Sequence, residues 1–129
     1  MKNQIKTLIV FILLTLMAFT SSVKEDVDCG IMHEGTFTYY DNKDIVKVVI
    51  KGEEHIEYYN DGKYYIKSKI TWLNECEFDI SMKEITLPNF PFQIGDIMHV
   101  KITKVEVNII YCTSKIKGHE LYAVFTKIE

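Results

Sequence analysis

The 129-residue chain has no arginine; all fifteen of its basic residues are lysine. Without a guanidinium fork it lacks the side chain most suited to clamping a phosphate or carboxylate through two parallel hydrogen bonds. Eighteen acidic residues give a formal net charge of −3, and nucleic-acid binding, which needs clustered positive charge, is excluded on that ground. Cysteine is scarce: Cys29, Cys76 and Cys112 contain no C-x-x-C pair, so thiolate zinc and dithiol redox chemistry lack their usual spacing. His33, His55, His99 and His119 form no H-x-x-x-H or H-E-x-x-H pattern, and no metal site is expected. The acidic turns at 41–44 and 59–62 lack the ligand spacing of a calcium loop. No G-x-S-x-G elbow is present, and the acids fall mostly on turns or outward positions. The sequence therefore predicts neither an enzyme nor a cofactor.

One long apolar run does occur, at the start. Lys2 and Lys6 precede an uninterrupted stretch at 8–19, followed by Thr20, Ser21 and Ser22. This basic, apolar, small-residue order is that of a secretory signal peptide, and the run is shorter than the roughly 20 residues a membrane-spanning helix requires. Residues 1–22 are read as a signal peptide forming a helix, 23–34 as an extension and 35–129 as one domain. The expected location is secreted or periplasmic, with no membrane attachment after cleavage. Losing Lys2 and Lys6 would make the mature chain still more acidic. In such a compartment a bridge between Cys29 and Cys76 would tie the extension to the domain, leaving Cys112 as a small buried hydrophobe.

Beyond residue 35 no helical stripe is sustained. Eight segments, at 35–40, 45–51, 55–59, 64–72, 76–82, 97–105, 109–116 and 120–128, are rich in Val, Ile, Tyr, Phe and Thr and alternate with period two. Consecutive strands joined by short turns form an antiparallel up-and-down meander. The fold class predicted is all-β, with about eight strands closing into a small barrel so that no edge is exposed. A flattened two-sheet sandwich is the alternative.

Parity assigns the faces. A three-residue loop at 60–62 pairs Tyr58 with Tyr64 and Ile56 with Ile66, turning these inward and Tyr59, Tyr65 and His55 outward. A three-residue loop at 73–75 sets Trp72 opposite Cys76, Ile70 opposite Phe78 and Lys69 opposite Asp79. A two-residue loop at Lys117 and Gly118 sets Ser114 opposite Leu121, Cys112 opposite Ala123 and Lys115 opposite Glu120. His99 is expected outside. Inward residues mix large rings with Ser68, Ser114 and Ala123, which leaves either a cavity or room for a neighbouring ring.

Both prolines lie in one segment, "KEITLPNFPFQIGD", between Met82 and Ile97. A long aromatic loop serves as a lid, a docking patch or a plug. A ligand-binding barrel would line its interior with Tyr58, Tyr64, Ile66, Ile70, Trp72, Phe78 and Phe125. Leu87, Phe90, Phe92 and Ile94 would form the lid. The partner expected is a small apolar ligand. Alternatively, a solid barrel would serve as an envelope structural module and present Phe90 and Phe92 to a protein partner.

The stretches "GTF" at 35–37, "IEYYNDGKYYIKSKITWLNECEFDISM" at 56–82 and "IGDIMHVKITKVEVN" at 94–108 resemble small secreted β-proteins of Bacteroidota-type bacteria. Members of that group are sometimes labelled as a topoisomerase subunit. An acidic, arginine-free domain offers no support for that label. The Gly-x-aromatic opening strand and the meander are also similar to the lipocalin and calycin barrels, with Phe37 where lipocalins carry Trp. The resemblance implies a barrel, and fold alone does not imply an activity.

Overall fold

The computed structural model describes residues 27–129; the signal peptide expected at 1–22 lies outside the described residues. The described residues form eight antiparallel strands: β1 (Gly35–Asp41), β2 (Asp44–Lys51), β3 (Glu54–Tyr59), β4 (Tyr64–Asn74), β5 (Glu77–Ile85), β6 (Ile97–Glu106), β7 (Ile109–Ile116) and β8 (His119–Lys127). Each strand pairs with its neighbour in sequence, and β8 returns to β1 to close the barrel. The β-branched and aromatic content of these segments suits a pleated surface with one face buried. No helix of the described residues is long and apolar enough to cross a membrane.

Closure depends on Gly35. Only Phe37 with Lys127 and Thr38 with Thr126 pair between β1 and β8, reinforced by Thr36 N–H donating to the Glu129 carbonyl at 3.0 Å and Ile128 N–H to the Thr36 carbonyl at 2.8 Å. Gly35 has φ 141°, and a Cβ there would lie 2.5 Å from the Glu129 carbonyl oxygen. Only glycine permits that approach.

The two ends of the barrel differ. The turns β2–β3, β4–β5 and β6–β7 lie at the floor, where the 3-10 turn Cys29–Met32 acts as a plug, with Cys29 and Met32 fully buried. A Cys29–Cys76 disulfide binds this plug to the β4–β5 turn, as the sequence predicts, and is the mark of an oxidising compartment. Lys127 Nζ donates to the carbonyls of Ile31 and Glu34 at 2.9 and 3.0 Å. His33 stacks on Trp72 at 3.7 Å between ring centroids and donates from Nε2 to the Glu75 carbonyl at 2.8 Å. Above the plug, Phe37, Val46, Val48, Ile70, Ile102 and Ile110 pack into the main core.

The hairpin registers test the parity assignments one by one. At β7–β8 Ser114 faces Leu121, Cys112 faces Ala123 and Lys115 faces Glu120, as expected. At β4–β5 the pairing is shifted by two: Trp72 opposes Phe78 and Ile70 opposes Ile80. A two-residue shift keeps every side chain on its expected face. Asp79 consequently opposes Thr71 rather than Lys69, and His99 Nδ1 lies 2.8 Å from its carboxylate on the outer surface.

The β3–β4 hairpin is a correction. Tyr59 pairs with Tyr64 and Glu57 with Ile66, so the loop has four residues, 60–63. Asn60, Asp61 and Gly62 all take left-handed backbone, with φ 50°, 53° and 87°, which Asn, Asp and Gly tolerate best. The one-residue change reverses the strand. Ile56 and Tyr58 face outward, and His55, Glu57 and Tyr59 face the interior.

Candidate functional site

The end opposite the plug is a mouth ringed by the β1–β2, β3–β4 and β7–β8 turns and by the 86–96 loop. That loop is tied at both ends. Gly95 N–H donates to the Met82 carbonyl at 2.9 Å and Thr86 N–H to the Tyr65 carbonyl at 2.9 Å. Asp96 accepts from the Gln93 N–H at 2.8 Å and pairs with Lys117 Nζ at 3.1 Å. Leu87, Phe90 and Phe92 turn toward the barrel and pack against Ile66, Met82 and Ile116. Phe90 and Phe92 meet edge to face at 5.5 Å. Ile94 points away, 67 % exposed.

Beneath the loop lies a cavity of about 240 Å³, and outside it a vestibule of about 890 Å³ bounded by Asp41, Asp44, Tyr64, the loop, Lys117 and His119. The cavity wall is apolar on the β5, β6 and β8 side, through Phe78, Ile80, Val100 and Phe125. The β1 and β3 side is polar. Tyr59 donates to the Glu57 carboxylate at 2.6 Å, and the Tyr39 and Tyr59 hydroxyls lie 3.2 Å apart. Tyr39 also meets Phe125 edge to face at 5.1 Å. His55 and Ser68, a cross-strand pair, are each 3 % exposed. Among the described residues His55 Nδ1 and Ser68 Oγ have no hydrogen-bond partner.

Burial controls the protonation of this wall. It raises the Glu57 carboxyl above its ordinary range, an effect opposed by the Tyr59 hydrogen bond and supported by Asp41 nearby. Burial, with the Glu57 charge behind it, pushes the Tyr39 and Tyr59 phenols up, so both remain protonated. The His55 imidazole is pushed down to about 4 by burial and is neutral at pH 7. Cys112, buried deeper beside Met32 with its Sγ 3.8 Å from that Sδ, has its thiol pushed up to about 12 by the same cause.

The residues expected to line a binding site are thus dispersed. Ile66, Phe78 and Phe125 line the cavity, and Tyr64 borders the vestibule. Ile70 lies below in the packed core. Trp72 stacks at the floor on His33 and packs at a tilt against Phe78, and so belongs to the plugged end. Tyr58 is on the outer surface beside Lys47 and Val49, because β3 runs in the opposite parity. Of the loop residues, Leu87, Phe90 and Phe92 reach the mouth and Ile94 does not. Sequence parity missed Tyr39, His55, Glu57 and Tyr59. The signal was present in the run of turn formers at 60–62, which can extend the loop by one residue.

Among the described residues no group of three or more His, Cys, Asp or Glu side chains is placed to hold a metal ion. The fold and site define a class: a closed eight-stranded up-and-down β-barrel, plugged at one end and holding a half-polar chamber at the other. The chain matches no family model, no curated protein and no solved structure.

Proposed function

We propose that the protein is an exported barrel that binds a small amphipathic ligand in the chamber beneath the 86–96 loop. The observation that carries this is the two-sided wall, with Phe78, Ile80, Val100 and Phe125 facing the polar group of Tyr39, His55, Glu57, Tyr59 and Ser68. Ligand sites combine a mostly apolar lining with a few placed polar groups. Leaving a buried polar atom unpaired costs about 1–3 kcal/mol, and a ligand that satisfies His55 and Ser68 would recover that cost. At about 240 Å³ the chamber suits a compact ligand, with any longer tail extending past Phe90 and Phe92 into the vestibule. Export agrees with the Cys29–Cys76 bridge. The alternative, a docking patch for an envelope protein, would require outward-facing aromatic rings, whereas Phe90 and Phe92 pack inward.

Native mass spectrometry of the protein purified from an oxidising compartment tests this reading. The expected result is a co-purified small molecule that Ser68→Phe, which fills the chamber, excludes. Native protein without any bound species, together with no uptake of small amphiphiles in titration, would refute it.

A further inference from the structure

The chemical character of the polar wall narrows the ligand class. Glu57 faces the chamber with Tyr59 as its hydrogen-bond donor, and Asp41 borders the same space from the end of β1. Among the described residues no lysine lines the chamber. The lysine at the mouth, Lys117, is paired with Asp96. His55 offers an unpartnered Nδ1 and Ser68 an unpartnered Oγ, both nine-tenths buried or more, and the two face each other across β3 and β4 one rung below Glu57 and Ile66. The neutral imidazole has one nitrogen lone pair to give, and the serine hydroxyl two.

Such a wall offers acceptors at Glu57, His55 and Ser68 with no cationic side chain among the described residues beside them, and an incoming cation would favour the ionised form of Glu57 that burial disfavours. Tyr59 supplies one donor to this carboxylate, and a partner that brings positive charge and donors together stabilises its ionised form further. An ammonium group has three donors and no acceptor. The rings of Tyr39, Phe90, Phe92 and Phe125 border the same chamber, and the face of an aromatic ring attracts a cation. An anionic head would meet Glu57 and Asp41, and a neutral hydroxyl would bring no charge to favour the ionised form of Glu57.

We propose that the ligand is a primary amine with a short apolar body, its ammonium group held by the Glu57 carboxylate and accepted by His55 and Ser68. The assignment rests on the small-ligand reading above and adds the head-group chemistry to it. The titratable groups beside the head are Tyr39 and Asp41 on β1 and His55 and Tyr59 on β3; Tyr40 and Tyr122, at the rim of the same space, are 72 % and 75 % exposed and turn outward. Asp44, Tyr64, His119 and Lys117 stand farther out in the vestibule.

Isothermal titration of the disulfide-bonded protein near neutral pH with hexylamine, hexanol and hexanoate tests the assignment; the three share a body and differ in the head. Wild type is expected to bind hexylamine about tenfold or more tighter than hexanol, with hexanoate weakest. Glu57→Gln is expected to abolish the amine preference while retaining hexanol. Equal or better binding of hexanol by wild type would overturn the amine assignment and leave the small-ligand reading standing. A preference that survives in Glu57→Gln would overturn the role of Glu57. Failure of all three to bind wild type would overturn the amine assignment, and the presence or absence of a co-purified species in the native mass spectrum then decides the small-ligand reading separately. The wild-type comparison needs no variant, so the outcome does not depend on how well Glu57→Gln folds.

Discussion

Single residues set the limits of this fold where the backbone bends against its preference. Val107, in the β6–β7 turn, has φ 52° and is 88 % exposed. A β-branched side chain in left-handed backbone is held there at a cost of about 1–2 kcal/mol, and exposure means that no packing compensates. Val107→Asn is therefore expected to stabilise the protein by about 1 kcal/mol, visible in urea unfolding as a higher midpoint with unchanged slope. Asn42, Asn60, Asp61 and Asn89 occupy the same backbone region with side chains that tolerate it. Their identities could be read from the sequence as turn formers. What could not be read was how many consecutive left-handed residues the β3–β4 turn would use, and that number decided whether Tyr58 or Tyr59 entered the chamber.

Among the structural elements, the strands were legible because alternation is a direct imprint of a two-faced sheet, and β4, β5, β6, β7 and β8 kept the faces that parity assigned them. β3 did not, for a physical reason. In "EHIEYY" the apolar choice is Ile56 and Tyr58, yet the barrel turns His55, Glu57 and Tyr59 inward, where hydrogen bonds and a cavity accommodate polar groups that a packed core would reject. Hydrophobic patterning fails where the interior is itself polar, which is why the candidate site was the least legible region. The plug follows other rules: the 3-10 turn Cys29–Met32 is four residues long and is held by the disulfide, Lys127 and His33. Replacing Cys29 and Cys76 together by Ser releases a 47-residue separation and is expected to destabilise the protein by about 2–5 kcal/mol. Thermal unfolding with and without reductant would measure this, the reductant affecting wild type alone.

For the whole molecule, two interior groups oppose each other as pH changes. His55 has a folded pKa below its ordinary value, so its contribution is complete above about pH 6.5 and is lost as pH falls toward about 4, at most about 3 kcal/mol. Glu57 has a raised folded pKa, so its contribution is present below its ordinary value and is lost as pH rises through the folded one. Glu57→Gln removes the second effect and leaves the first. Its stability relative to wild type is expected to increase between about pH 5 and about pH 8, measured by urea unfolding at both. An unchanged difference between the two proteins would show that Glu57 ionises as freely in the barrel as in the unfolded chain.

The floor and the chamber also carry different chromophores. The single tryptophan, Trp72, sits at the plugged end against His33, while the chamber wall carries Tyr39 and Tyr59. Indole emission therefore reports the seating of the plug, and the part of the phenol absorbance that changes when a ligand enters comes from Tyr39 and Tyr59, the two of eight tyrosines whose hydroxyls meet on the chamber wall. The two ends of one small barrel can be followed separately in a single cuvette, without a label.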